Sequence, residues 1–143
     1  MKIVLFDGIK STEIQSFVDH YGKLTRRYRP LEIVQIKDKS QKKINTEKLK
    51  NFLDKEFCIL LSERGTLMDT PSFSQKLKNW DLEGKKLCFI VGNAFGFEQK
   101  LEQKADFLLS LSPLTMAHEM IIGSLMEQIY RCYNILAGGN YHK

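Results

Sequence analysis

The chain has 143 residues, 43% hydrophobic and 27% charged, and its 22 Lys and Arg outnumber 17 Asp and Glu for a net charge of +5. That is enough apolar material for one core, read here as one domain spanning residues 1–143, and it is spread too evenly for a disordered chain. No run approaches the roughly 20 apolar residues of a membrane span, and Met1–Asp7 is too short and too soon charged for a signal peptide.

In chain order, Lys2–Phe6 reads as a strand. Ser11–Arg27 reads as a helix opened by a Ser/Thr cap, with Ile14, Phe17, Val18 and Tyr21 on one face. Leu31–Ile36 is a second strand, and Asp38–Lys43 a polar, lysine-rich loop without glycine or proline, expected to be mobile. Thr46–Asp54 is a short helix with Leu49, Phe52 and Leu53 as its apolar side. Phe57–Leu61 is a continuous apolar run, the pattern of a strand buried on both faces. A turn is expected at Arg64-Gly65, and Thr70-Pro71 opens a helix running to about Trp80. Lys86–Val91 and Phe107–Leu111 are further strands. His118–Leu136 is a long helix pattern, followed by Gly138-Gly139 and a tail ending in Tyr141-His142-Lys143.

Strands alternating with helices give an α/β fold, a mostly parallel sheet flanked by helices. Ligands in such sheets bind beyond the carboxyl ends of strands. Three exits qualify, after Leu61, after Val91 and after Leu111. The Gly92–Gly96 loop lacks both the dinucleotide and the P-loop fingerprints, so by itself it equally describes a plain strand-to-helix turn. Cys58, Cys88 and Cys132 are odd in number and lack C-x-x-C spacing, which argues for a reducing, cytoplasmic setting over a disulfide framework or zinc ribbon.

The charge excess is local. Residues 23–50 hold ten basic and three acidic residues, a surplus of seven, which leaves the rest of the chain slightly acidic. Such a patch is the footprint of a polyanion binder, or simply a solvated face. Arg26-Arg27-Tyr28-Arg29 favours the former, because guanidinium groups grip phosphates and a tyrosine ring can stack on bases.

Four stretches occur in a particular order and spacing: Phe89-Ile-Val-Gly-Asn-Ala-Phe-Gly96, Leu109-Ser-Leu-Ser-Pro-Leu-Thr-Met-Ala-His118, Glu127-Gln-Ile-Tyr-Arg131, and the terminal Tyr141-His142-Lys143. Together they resemble the RlmH-type, SPOUT-class 23S rRNA methyltransferases, which methylate N-3 of a pseudouridine in large-subunit ribosomal RNA. The resemblance implies a C-terminal trefoil knot, a homodimer, and S-adenosylmethionine (SAM) in a pocket made by the knot. The implied partner is 23S rRNA in the assembled ribosome, with no membrane involved.

Carried over position by position, the implied cofactor contacts are Leu61, Gly92 and the stretch Leu111, Ser112, Pro113, Leu114, Thr115 and Met116. Aliphatic walls with free backbone groups suit adenine, and Gly92 lets the backbone approach closely. The same leucines would serve equally as plain core residues. Three positions depart from the family pattern: Asn93 stands where a second glycine is usual, Ala117 where a proline is, and Ile122 where an arginine is.

Methyl transfer requires donor and nucleophile in line and removal of a ring-nitrogen proton. His142 is the leading catalytic candidate, since an imidazole exchanges protons near neutral pH and the short tail is free to fold over a pocket. Tyr141 would stack on or hydrogen-bond the target base. Arg131 would contact RNA phosphate or the SAM carboxylate, although Glu127 four residues earlier also makes it an ordinary intrahelical ion pair. Arg26, Arg27, Arg29 and Lys143 are the candidate RNA contacts. His118 reads as ordering the cofactor loop. No metal requirement is visible. The final helix is apolar almost all round, which favours burial in a dimer interface and a tail that completes the partner's site. The rival reading is a non-catalytic RNA- or ribosome-binding module that has lost efficient methyl transfer.

Overall fold

In the computed structural model, which describes residues 1–143, the β-rich runs become β1 (Lys2–Phe6), β2 (Glu32–Ile36), β3 (Phe57–Leu67), β4 (Leu87–Val91) and β5 (Phe107–Ser110). The helices are α1 (Thr12–Thr25), α2 (Thr46–Leu53), α3 (Thr70–Leu82), α4 (Gln99–Glu102) and α5 (His118–Leu136). All strand pairs are parallel, in the order β2-β1-β4-β3-β5. The expected helix-flanked parallel sheet is what forms. Only α4 goes unforeseen, because four residues are too few to display a helical period.

The strands are unbroken apolar runs because the sheet is covered on both faces. On one face Ile3, Leu5, Ile59 and Phe89 pack against Val18 of α1, Leu77 of α3 and Leu125 and Ile129 of α5. On the other, Val4, Phe6, Leu60 and Ile90 pack against Leu49 of α2 and Leu101 of α4. Alternate residues of one strand thus serve different cores, each fully buried aliphatic side chain contributing about 1.5–3 kcal/mol.

Local chemistry sets the helix starts. Ser11 Oγ accepts the Ile14 N–H at 3.2 Å, Asn45 Oδ1 accepts that of Lys48 at 3.2 Å, and Asp69 Oδ1 accepts that of Ser72 at 2.8 Å. Pro71 falls in the first turn of α3, where its missing N–H costs nothing.

Two expectations change. Arg64-Gly65 is not a turn that ends the strand: β3 continues to Leu67. After Leu61 the chain bulges over residues 62–65, and Thr66 and Leu67 resume pairing with Leu109 and Ser110 of β5. At Gly65 a Cβ would lie 2.6–2.8 Å from backbone atoms of Leu108 and Leu109, so only glycine fits this crossing. The polar run Ser62-Glu-Arg hides the strand from any hydrophobic pattern.

The second change concerns α5. Ile122, Leu125, Met126, Ile129, Cys132 and Tyr133 are buried within the chain, beneath α1, α3 and the sheet. Glycines let α1 and α5 close up: the Cβ position of Gly22 is 3.4 Å from Met126 Cε, and that of Gly123 is 3.5 Å from Phe17 Cδ1. Most of the apolar circumference is therefore covered without a partner. Met120 and Leu136 remain exposed on α5, as does Phe17 on α1.

Candidate active site

A cavity of about 610 Å³ opens at the carboxyl ends of β3, β4 and β5. Its walls come from the β3 bulge (Leu61–Arg64), the β4 exit (Val91–Phe97), the β5 exit (Leu109–Ser112, Leu114–Ala117) and the start of α5 (His118, Ile121). Of the eight positions expected to hold a cofactor, Leu61, Gly92, Leu111, Ser112, Leu114, Thr115 and Met116 line it, and Pro113 does not.

Each wall is set by short-range bonding. Ser112 Oγ accepts the Leu114 N–H at 2.9 Å, and Ser110 Oγ donates to the Ser112 carbonyl at 3.1 Å, which shapes the loop after β5. Leu114 stands 73% exposed at the rim, an apolar side chain with nothing of its own chain to cover it. The absent Cβ of Gly92 would meet the Phe97 ring at 3.0 Å, so this backbone is pressed against an aromatic on one side and open to the cavity on the other. Glu119 fastens the first turn of α5 to α1, its two carboxylate oxygens each accepting a backbone N–H, from Lys10 and Ser11, at 3.0 Å. Those bonds hold its carboxyl below the usual glutamate range.

Three contributors are invisible to the sequence pattern. Glu102 of α4 is buried and accepts from Ser62 Oγ at 2.9 Å and Arg64 Nη2 at 2.6 Å, which ties the β3 bulge to the cavity wall. Arg64 thereby stands at the mouth as a partly exposed cation. Asn93 is 6% exposed. Its Oδ1 accepts the Phe95 N–H at 3.0 Å, and its Nδ2 donates to the Lys42 carbonyl at 2.9 Å and to Asp38 at 3.2 Å. Of the other two family departures, Ile122 is a fully buried core residue, and Ala117 precedes α5 without any side-chain cap.

The tail lies elsewhere. Gly138, at φ +71°, reverses the chain after α5, and Tyr141 N–H then bonds Asn134 Oδ1 at 3.0 Å. Tyr141 Oη contacts Tyr21 Oη at 2.8 Å and donates to Glu127 at 3.0 Å, while the Arg131 guanidinium lies 4.5 Å from the centre of its ring. Burial, then the bonds to Tyr21 and Glu127, raise the Tyr141 phenol well above its ordinary value, so it stays protonated. Arg131 also bonds Glu127 at 2.5 Å, the expected i,i+4 pair, and approaches His142 Nδ1 at 3.5 Å. The structure therefore brings Arg131, Tyr141 and His142 together. None of them, nor Lys143, lines the cavity of the same chain. Arg131 beside the tail lies thirteen positions after His118 at the cavity, roughly 20 Å along α5.

The arginine cluster is also remote. Arg29 pairs with Asp81, and Arg26 Nε donates to the Leu31 carbonyl at 3.1 Å, so both serve the fold. Arg29 sits beside Met1, Lys2 and Leu87, at the amino ends of the strands, opposite the cavity. Arg27 is exposed.

A family model described as "Predicted SPOUT methyltransferase" matches residues 1–142. The chain is 37% identical over 126 residues to the Ribosomal RNA large subunit methyltransferase H of Thermus thermophilus, covering 88% of this chain and 85% of that protein. It is 31% identical over 150 residues to the protein of the same name from Desulfotalea psychrophila, covering 99% and 98%. This chain belongs to the SPOUT methyltransferase family, in its RlmH-type branch.

Among solved structures, the tRNA (m1G37) methyltransferase of Aquifex aeolicus superposes with a TM-score of 0.57 at 14% identity, covering 92% of this chain and 69% of that one. That likeness shows the fold, which is consistent with the knotted α/β architecture of SPOUT methyltransferases. In this SPOUT chain the crossing of Gly65 over β5 lies directly behind the cavity.

The cavity suits the methyl donor that the family implies. Its volume is that of a small-molecule site, with aliphatic walls broken by a few polar groups. One of those is His118 Nε2, a buried polar atom with no partner among the protein's own groups, on a side chain that lines the cavity. A nitrogen left unpaired in an apolar wall is costly unless a ligand bonds it.

Proposed function

We propose that residues 1–143 form one methyltransferase domain that transfers a methyl group from SAM to N-3 of a pseudouridine in 23S rRNA, acting in the cytoplasm as a homodimer on the assembled ribosome. The observation that carries this reading is the cavity itself: seven of the eight family cofactor positions, from three separate segments, meet around it. The relatives' names supply ribosomal RNA as the substrate class.

When bound, SAM supplies an electrophilic methyl on a sulfonium. The roles of this chain's residues follow. Leu61, Leu111, Leu114 and Met116 would grip a flat adenine and exclude water, with backbone groups around Gly92 and Ser112 at its hydrogen-bonding edge. His118 Nε2 would bond a polar ligand atom. The N-3 atom that receives the methyl group would give up its proton, which this chain must accept. His142 is assigned that proton, neutral Tyr141 the orientation of the base, and Arg131 and Lys143 the RNA phosphate.

The separation of tail and cavity supports dimerisation. In its own chain Tyr141 is pinned by Tyr21, Glu127, Arg131 and Asn134, well away from the cavity. A complete site then takes its tail from a second copy, with exposed Phe17, Met120 and Leu136 as apolar surface for the contact. Titration calorimetry with SAM is the first test: absence of saturable binding would sink the enzyme reading and favour the non-catalytic RNA-binding module. Methylation of ribosomes and of naked 23S rRNA, with mass mapping of the product, tests substrate and position.

A further inference from the structure

Residues 23–50 hold the charge surplus, but the fold splits them between opposite ends of the sheet. Arg26 and Arg29 go to the amino ends, where they bond Leu31 and Asp81. The loop after β2 goes to the carboxyl ends and arches past β1 to the β4 exit. Asp38 N–H bonds Asp7 Oδ1 at 3.1 Å just beyond β1, and Ile44 forms a parallel bridge with Phe97. Asp38 is the hub of this arch. Its Oδ2 takes Lys48 Nζ at 2.6 Å and Asn93 Nδ2 at 3.2 Å, and its Oδ1 takes the Ser40 N–H at 3.0 Å. Asn93 also holds the Lys42 carbonyl, which fastens the lysine loop to the cavity wall.

The result is four exposed lysines, Lys37, Lys39, Lys42 and Lys43, none of them in an ion pair. Lys43 itself lines the cavity mouth, and Arg64 stands across it. Of the acids at this end of the sheet, Asp38 is paired with Lys48 and Glu102 with Arg64, and the exposed Asp7 and Glu63 leave the four lysines in excess. Gathering like charges on an ordered loop is unfavourable unless a polyanion meets them, and phosphodiesters spaced along a strand do so by releasing their counterions. A pinned loop loses less conformational freedom on docking than a free one would.

We propose that the Lys37–Lys43 loop, fastened across the cavity mouth by Asn93, is the arm that grips the phosphodiester backbone of the RNA substrate, and that the Arg26–Arg29 cluster is not. Asn93 is a positioning residue for this arm. The inference rests on the RNA methyl-transfer reading for its substrate, but RNA binding and SAM binding are measured separately, so either can fail alone.

The test measures binding to transcribed 23S rRNA between 50 and 250 mM salt, beside SAM affinity by calorimetry. The triple variant Lys37→Gln/Lys39→Gln/Lys42→Gln, which spares the cavity-lining Lys43, should lose about tenfold or more in RNA affinity near 150 mM salt. Its log–log salt slope should fall by about 2, at about 0.7 per phosphate contact on a single strand. SAM affinity should stay within about twofold. Arg26→Gln/Arg27→Gln should change the slope far less. Asn93→Asp keeps the oxygen that bonds Phe95 N–H but loses the amide donor and sets a charge beside Asp38. It should raise KM for RNA by a larger factor than it lowers kcat, and speed amide exchange over residues 38–43. An unchanged salt slope in the lysine variant, or a larger loss in the arginine variant, overturns the proposal. If wild type binds RNA with the expected slope but takes up no SAM, the grip stands and the methyl-transfer reading fails.

Discussion

The crossing at Gly65 offers the sharpest energetic prediction. Its φ is not in the left-handed region, so Gly65→Ala introduces no backbone strain, only a methyl group. That methyl would sit 2.6 Å from the Leu109 carbonyl carbon, 2.7 Å from that of Leu108 and 2.8 Å from the Leu108 oxygen. Carbon atoms in contact prefer about 3.5–4.0 Å, so the two segments must part by close to 1 Å. Backbone cannot rotate aside as a side chain can, and both segments are tied by the Thr66–Leu109 and Leu67–Ser110 pairs. Overpacking of this kind costs about 3 kcal/mol, the upper end of the usual range. Gly84→Ala is the control: φ is +68° with nothing within 4 Å, so it pays only left-handed strain of about 1 kcal/mol. Denaturant midpoints for both variants, with SAM affinity alongside, measure the difference. Gly65→Ala should be the more destabilised by about 2 kcal/mol and should weaken SAM binding, because residues 61–64 wall the cavity. Equal midpoints for the two variants would refute the claim that the crossing is closed to a Cβ.

Mixing two inactive variants tests the shared site. A chain lacking residues 141–143 with an intact cavity, combined with Gly92→Phe carrying an intact tail, should recover about a quarter of wild-type activity, since half the dimers are mixed and each holds one complete site. No recovery in mixed dimers would mean that the tail serves its own chain. His142→Ala should abolish methyl transfer while SAM affinity stays within about twofold, and a parallel loss of SAM binding would remove His142 from its assigned role. The Lys48 bond, followed by bonds from Ser40, lowers the Asp38 carboxyl to about 2. A carboxylate depressed in the fold stabilises above its unfolded value near 3.9, and that contribution disappears as pH falls through about 2. Amide-exchange protection of residues 38–43 should therefore hold at pH 5 and weaken progressively between pH 4 and 2, whereas Asp38→Asn should lack this pH step. All three thiols are buried, and burial pushes Cys132 up to about 12, so a thiol reagent at pH 8 should label none until the protein unfolds.

Much of this protein was legible in its residues. Continuous apolar runs such as Phe57–Leu61 and Leu87–Val91 belong to doubly covered parallel strands, because only burial on both faces tolerates them. Ser11 sets the start of α1 through a bond only three residues long, and the stretch after β5 carries its family resemblance in contiguous residues. Tertiary structure decided what depends on segments far apart in the chain. Gly65 reads as a turn until β5 is seen lying against it, and the polar β3 extension has no periodicity to betray it. The apolar girth of α5 reads as a dimer face until α1 and α3 are found covering most of it. Asn93 reads as a lost glycine until Asp38 and Lys42 arrive from more than fifty residues away. The charge surplus of residues 23–50 is plain in composition, but its use depends on which end of the sheet each cation reaches. Local order is written in neighbours; a close crossing, a shared buried face and the address of a charge exist only once distant segments meet.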